Sequence, residues 1–318
     1  MEGLTKRKNA GLARRSSFDD SEEDIAQRDK QEQEDATLSA DFKPFQPPLT
    51  LMDELYMLAI SEDGSLSFWN DSLSYVLRAC IMIELVLRQR IQFISSPINQ
   101  PFPSYRKRIT TAVDKNAPGK PIGEFLLDEA LRIMATSSET LDVSSWISYL
   151  NGETWNPTKL GYQLKMVRER IGKGLVEKGV LKHDRKLFAI FEQSVLIPRS
   201  PLIQRELSNK VRSLLLSPLD KALSSIHYAD YPEQTPFLRL RFLLLALATY
   251  SAEILDNIID ETFQESAMSR AECLLSDLSV FPPPLKLVGL LGISQENHAV
   301  FLPYFELISA IAFALKNL

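Results

Sequence analysis

Glycine is scarce in this sequence, 12 residues in 318, about half the ~7% of an ordinary globular chain. That scarcity disfavours a loop-rich all-β fold and favours helices. Cysteine is scarcer still, and two residues in a chain of this length do not make a disulfide framework. No apolar run opens the chain, so no signal peptide is read and a reducing, cytosol-facing location is the default. Nor is any run long enough to cross a bilayer. The most apolar stretch, residues 242–255 (FLLLALATYSAEIL), falls short of the ~20 residues a span needs. Arg239 and Arg241 precede it, and Glu253 and Asp256 close it. It reads as a buried core helix, which confines any membrane contact to the protein surface. An excess of positive charge is also missing. The net charge of −5 argues against a general nucleic-acid or polyanion binder, so an anion site has to be a local basic patch.

Catalytic signatures are missing too. There is no G-x-S-x-G, phosphate loop, dinucleotide fingerprint or H-E-x-x-H. His183, His227 and His298 lie in different segments, and none has a His or Cys at ligand spacing, so no metal site is read. Cys80 falls on a core face and Cys273 mid-helix, where packed thiols are the ordinary outcome. Glu84 and Glu153 read as candidates for buried networks, with nothing to assign them acid–base roles. The residues make no positive case for an enzyme.

What is present divides at about residue 47. Residues 1–47 are polar and without period. Lys6, Arg7, Lys8, Arg14 and Arg15 open them, and residues 19–35 carry nine acidic side chains against Arg28 and Lys30. Such a segment buries too little apolar surface to offset its ordering entropy and is read as a disordered tail. Ser16 and Ser17 stand between basic and acidic residues, where phosphate would weaken the basic arm.

Residues 48–318 read as one mainly helical domain. Thr50 and Asp53 form a capping-box variant ahead of a first helix. A strong helix spans about 72–90, with Leu73, Val76, Leu77, Cys80, Ile81, Leu85 and Leu87 on its core face. A proline-rich loop runs from about 95 to 121, and its basic run 105–108 reads as solvated. Helices follow at 124–134 and 143–150. Asn156 and Pro157 start another, whose buried stripe is Leu160, Leu164, Val167, Ile171 and Leu175. After Gly179, two apolar strands flank a charged turn at 182–186, a winged-helix-like arrangement. Val195, Leu196 and Ile197 read as the tip of an apolar loop or second, protruding hairpin. Further helices are expected at 202–226, 236–259, 265–278 and 302–316.

Basic residues gather beside helix starts. Trp69 immediately precedes Asn70-Asp71, Arg78 lies two turns in, and Lys165 and Arg168 share a helix face. A helix N-terminus with such cations suits a phosphate, and tryptophan suits a membrane interface. The alternative is that Trp69 belongs to the core and the cations merely solvate helix faces.

The segments LTLMDELYMLAI, SFWNDSLSYVLRACIMIELVLRQRI, LLDEALR and SWISYLNGETWNPTKLGYQLKMVRERIGKGLVEKGVL resemble the Golgi phosphoprotein 3 family, including its yeast member in vacuolar protein sorting. The resemblance runs from about 49 to 200 and more loosely to about 278. It implies a peripheral Golgi protein with no cofactor, on the cytosolic face of the membrane. Its implied partners are phosphatidylinositol 4-phosphate, coatomer, the cytosolic tails of Golgi glycosyltransferases and further copies of itself. By that resemblance Trp69, Arg78, Lys165 and Arg168 form the headgroup pocket, converging and open to solvent. The hairpin residues Phe191, Val195, Leu196 and Ile197 serve membrane insertion and self-association. Lys6, Arg7, Lys8, Arg14 and Arg15 resemble the coatomer-contacting cluster in composition. The loop 97–121 and the apolar end from residue 281 depart from the family. The competing classes are a winged-helix nucleic-acid binder, disfavoured by charge, and a lipid-modifying enzyme, which lacks a nucleophile–base pair.

Overall fold

Thr50 starts the first helix as its spacing predicts. Its hydroxyl accepts the Asp53 N–H at 3.2 Å, and the Asp53 carboxylate accepts the Thr50 N–H at 3.1 Å. The structure, a computed structural model, describes residues 49–61, 64, 66, 71–94, 103–111, 121–188, 191–226, 237–291 and 295–318, without the side chains of 186–193 and 295–301. The expected tail, with Lys6, Arg7, Lys8, Arg14 and Arg15, lies outside the described residues, as does Trp69.

Eleven α-helices and two small antiparallel sheets are described, so the chain is mainly helical. Helix α1 spans Leu51–Ala59 and α2 spans Asp71–Leu87. Every residue of α2 from Tyr75 to Leu87 is buried, the mark of a helix covered on all sides. Helices α3 (Phe125–Thr136) and α4 (Val143–Asn151) pack against it, as do α1, α8 (Leu238–Ser251) and α11 (Gln295–Lys316). Between them in sequence come α5 (Val167–Glu177), α6 (Pro201–Leu216), α7 (Leu219–Ser224), α9 (Glu261–Ser279) and α10 (Leu285–Leu290). Helix α11 lies along α9 and closes the core with Phe305, Leu307, Ile308, Ile311 and Leu315. The apolar run is a core helix, as read, over 242–251: α8 is buried almost throughout, ends at Ser251, and leaves Glu253 exposed beyond it.

One buried carboxylate ties the centre together. Glu84 of α2 is 0% exposed. Its Oε1 accepts the Leu51 N–H at 2.7 Å and pairs with Arg241 Nη2 at 2.8 Å; its Oε2 accepts Arg88 Nε at 3.1 Å. Arg241 also donates to the Leu49 carbonyl at 3.3 Å. Glu84 therefore belongs to a buried network, as expected, whereas Glu153 is exposed.

Four readings need correction. The basic run at 105–108 is pinned in place through Tyr105 and Lys107, while Arg106 and Arg108 are exposed as read. Strand β2 (Arg108–Thr111) pairs with β1 (Ile91–Phe93) and β3 (Leu141–Asp142), Tyr105 stacks on Phe313 at 4.0 Å, and Lys107 reaches Glu306. Strands of two to four residues are too short to show a period. The helix read over 202–226 divides at Ser217-Pro218, because Pro218 disfavours a helical residue before it.

The single helix expected after Asn156 is two pieces, a 3₁₀ turn (Pro157–Tyr162) and α5, and Leu160 is exposed. Met166 lies between them with φ 53, a left-handed residue that no helix passes through.

The hairpin after α5 is present as one long ribbon, β4 (Leu181–Phe188) with β5 (Phe191–Pro198). Residues 182–186 are inside β4, and Phe188 pairs with Phe191 at the far end of the ribbon. Lys182, His183 and Asp184 face Ile197, Leu196 and Val195 at the base of the ribbon, so Val195, Leu196 and Ile197 are no tip. Val195 is buried and Leu196 packs against the core. Gly172 of α5 makes room there, since a Cβ on it would stand 2.7 Å from Leu196 Cδ1 and 2.8 Å from the Tyr56 hydroxyl. Charges read as a turn, yet a two-stranded ribbon wet on both faces carries them along a strand, with Lys182, His183 and Arg185 exposed. Of the four named hairpin residues, Phe191 lies at the far end of the ribbon.

Candidate functional site

Helix α4 ends at Gly152, whose φ of 89 gives the left-handed C-cap that glycine adopts without strain. The chain comes back to the end of α4 at Leu164, whose N–H donates to the Leu150 carbonyl at 3.0 Å. Residues 152–163 thus form a loop with a closed neck, of the compact kind whose ends meet. Gln163 packs over Gly152, where an added Cβ would fall 2.3 Å from its Nε2.

Arg78 holds this neck. From α2 its Nε donates to the Leu150 carbonyl at 3.3 Å, its Nη2 to the Leu164 carbonyl at 2.9 Å, and its Nη1 to the Ser74 carbonyl at 2.8 Å. The side chain is 6% exposed, so it is buried rather than open to solvent as expected. A sequence shows a cation on a helix but not the carbonyls that wait for it. Three of the five N–H donors of a guanidinium are thereby used, which leaves a fixed, pre-oriented group with donors remaining.

Lys165 follows Leu164 directly and is exposed. Arg168 stands in the first turn of α5, half-buried. Burial pushes Arg78 down to about 10, and the charge of Arg168 adds to the effect; Glu153 and Glu169 act the other way. At about 10, Arg78 remains a cation at neutral pH. Arg168 is also lowered, by its burial, with Asp71, Glu169 and Tyr56 opposing. Burial raises Tyr56 to about 12, helped by Glu169 and opposed by Arg168. The structure therefore brings Arg78, Arg168 and the backbone of Lys165 to one place, at the start of a helix. Asp71 and Glu169, which the sequence reading passed over, temper the positive field there.

The neighbouring loop was also passed over. Inside it, Asn156 Oδ1 accepts the Thr158 N–H and hydroxyl at 3.0 and 2.8 Å, and Thr154 Oγ1 accepts the Asn156 N–H at 3.1 Å. Lys159 pairs with Glu139 and stands over the Tyr162 ring, which lies against Trp146 and Tyr149. Trp155 makes no part of this packing and is 102% exposed. Its signal in the sequence was its setting, a tryptophan between Thr154 and Asn156-Pro157 rather than on a periodic stripe.

The sequence model of a family described as Golgi phosphoprotein 3 (GPP34) matches residues 51–286. The chain belongs to the Golgi phosphoprotein 3 family. It is similar to vacuolar protein sorting-associated protein 74 of Schizosaccharomyces pombe, with 37% identity over 280 residues, covering 84% of this chain and 80% of that one. It is also similar to vacuolar protein sorting-associated protein 74 of Eremothecium gossypii, with 38% identity over 243 residues, covering 74% of this chain and 70% of that one. Arg78, Lys165 and Arg168 all fall inside the matched span of the Golgi phosphoprotein 3 family, while the whole of α11 falls beyond it. Among the described residues no helix is long and apolar enough to cross a membrane.

Proposed function

We infer that this chain is a peripheral adaptor on the cytosolic face of Golgi membranes and works in protein sorting, not as an enzyme. It binds phosphatidylinositol 4-phosphate through Trp69, Arg78, Lys165 and Arg168. The basic arm of Lys6, Arg7, Lys8, Arg14 and Arg15 meets coatomer. Cytosolic tails of Golgi glycosyltransferases are the cargo, retained by retrograde vesicles, and copies of the chain associate through the far end of the hairpin around Phe191. Family membership and the names of its relatives support the Golgi and sorting parts of this reading.

One observation carries the lipid part. Arg78 and Arg168 come from distant segments, yet Arg78 bonds the carbonyl next to Lys165 and feels the charge of Arg168. A phosphate entering there meets two guanidiniums and the N-terminal turn of α5, all favourable to an anion. Each basic residue near an anionic membrane adds only ~1 kcal/mol, so a single copy dwells briefly. Several pockets on one oligomer, together with cargo and coatomer, raise the effective concentration.

The test is flotation of the full chain with phosphatidylcholine vesicles, with and without the 4-phosphate lipid. Arg168→Ala is expected to cut lipid-dependent binding about tenfold, the scale of one charge-assisted hydrogen bond. The half-exposed cation contributes little to stability, so the melting temperature stays within about a degree. Equal flotation on both vesicles, or an Arg168→Ala chain that floats like the parent, contradicts the reading.

A further inference from the structure

Trp155 is the largest exposed apolar side chain among the described residues, and the loop that carries it is built rather than loose. Pro157 fixes the chain beyond the crown. The polar groups of Thr154, Asn156 and Thr158 are bonded within the loop. The Arg78 clamp and the Leu150–Leu164 bond hold its neck. A stiff loop that displays a bare indole gains nothing from it in water, because the ring stays solvated in the folded and unfolded chain alike. Leu160 and Met166, at 50% and 66% exposure, continue the apolar display along the same run.

We propose that residues 152–163 are a membrane-inserting finger, with Trp155 as its anchor in the interfacial layer of a lipid surface. This rests on the reading that the Arg78–Arg168 site faces a membrane. The indole suits that layer, where one end of the side chain is apolar and the N–H stays wet. The loop's two charges each have a partner. Lys159 is engaged by Glu139, and Glu153 accepts the Asn151 amide N–H. Lys165 and Arg168, just past the neck, supply cations at the depth of the headgroups, with Glu169 exposed beside them. Since Arg78 grips both ends of the finger, headgroup site and finger form one rigid unit, and a phosphate at the site sets the height of Trp155 against the bilayer.

The experiment uses the full chain, vesicles of phosphatidylcholine with and without the 4-phosphate lipid, and the water-soluble inositol 1,4-bisphosphate. Trp155→Ala is expected to lower vesicle affinity about tenfold, the scale of partly burying one indole. It is expected to leave the affinity for the soluble headgroup and the melting curve unchanged, because the side chain touches nothing in the fold. Brominated phosphatidylcholine is expected to quench the parent's tryptophan emission, and Trp155→Phe to abolish most of that quenching while still floating. Trp155→Ala that floats like the parent, or quenching as strong in Trp155→Phe as in the parent, overturns the finger; a remainder from Trp69 at the headgroup site does not. Normal flotation of Trp155→Ala with lost self-association or coatomer binding also overturns it, and makes the loop a protein contact. If Arg168→Ala is neutral while Trp155→Ala weakens binding to both vesicles, the finger stands and the headgroup reading falls.

Discussion

Arg78→Met separates a lipid contact from a structural clamp. The methionine keeps much of the apolar stem and removes every donor. The Leu150 carbonyl still receives the Leu164 N–H at 3.0 Å, so the loss there is one ordinary bond of about 1 kcal/mol. The Leu164 carbonyl loses the 2.9 Å bond from Nη2, and a buried acceptor deprived in this way costs about 1–3 kcal/mol. The Ser74 carbonyl also loses the 2.8 Å bond from Nη1, but this bond is only part-buried and water replaces it at little cost, so the sum is about 2–4 kcal/mol. Unfolding entropy is ~2.1 cal/mol/K per residue, and a domain of roughly 270 residues then loses about 4–7 °C in melting temperature. Arg78→Lys, which reaches one carbonyl at a time, falls between. Circular dichroism melting gives the shift. Hydrogen exchange at the Leu164 amide gives its location, because that N–H closes the neck. A variant that melts within about a degree of the parent, with the Leu164 amide still protected, refutes the clamp. If the clamp holds, weaker lipid binding by an Arg78 variant includes a displaced loop, and Arg168 is the cleaner probe of the headgroup.

Two further outcomes follow from the packing. Glu54 is buried in α1, and burial raises it from 4.5 to about 7, with Glu84 and Asp53 adding to the effect and Arg241 and Lys210 opposing it. The folded state therefore holds this proton more tightly than the unfolded chain does, and its contribution falls as pH rises from about 4.5 to 7, then stays flat. Glu54→Gln is expected to remove that slope and to be more stable than the parent at pH 8 by up to about 3 kcal/mol, read from urea denaturation at pH 5 and pH 8. An unchanged difference between the two pH values tells against it. Gly172→Ala improves helix propensity by about 1 kcal/mol but puts a methyl 2.7 Å from Leu196 and 2.8 Å from Tyr56. Overpacking of about 1–3 kcal/mol wins, so the variant is expected to melt lower, and a higher melting temperature shows that the hairpin base yields.

Long elements were legible because their periods are long. The stripe of α2 and the apolar run of α8 needed no partner to be recognised. Thr50 and Asp53 were legible for another reason, because a capping box is written within four residues. The break at Met166 was not, since nothing local forces a methionine to φ 53; it is imposed by Arg78 and Leu150, which pull Leu164 to the neck. The short strands around Ile109 were lost among prolines because they exist through pairing with Leu141 and Phe93. At the site, the residue types of Arg78, Lys165 and Arg168 were readable but not their exposures. Which arginine is gripped by carbonyls depends on backbone that arrives from 72 and 86 residues away.

Glu84 also settles where this chain can be shortened or joined to another. Its charge is solvated partly by the Leu51 N–H, from 33 residues upstream, and its partner Arg241 is held by the Leu49 carbonyl. A joint made before Leu49 keeps that shell whole. A start at Tyr56 removes both groups and leaves the carboxylate at the centre of the protein with fewer ligands than its charge requires. Helix α1 is therefore a plug rather than a leader: its first turn serves as solvent for an ion that water does not reach.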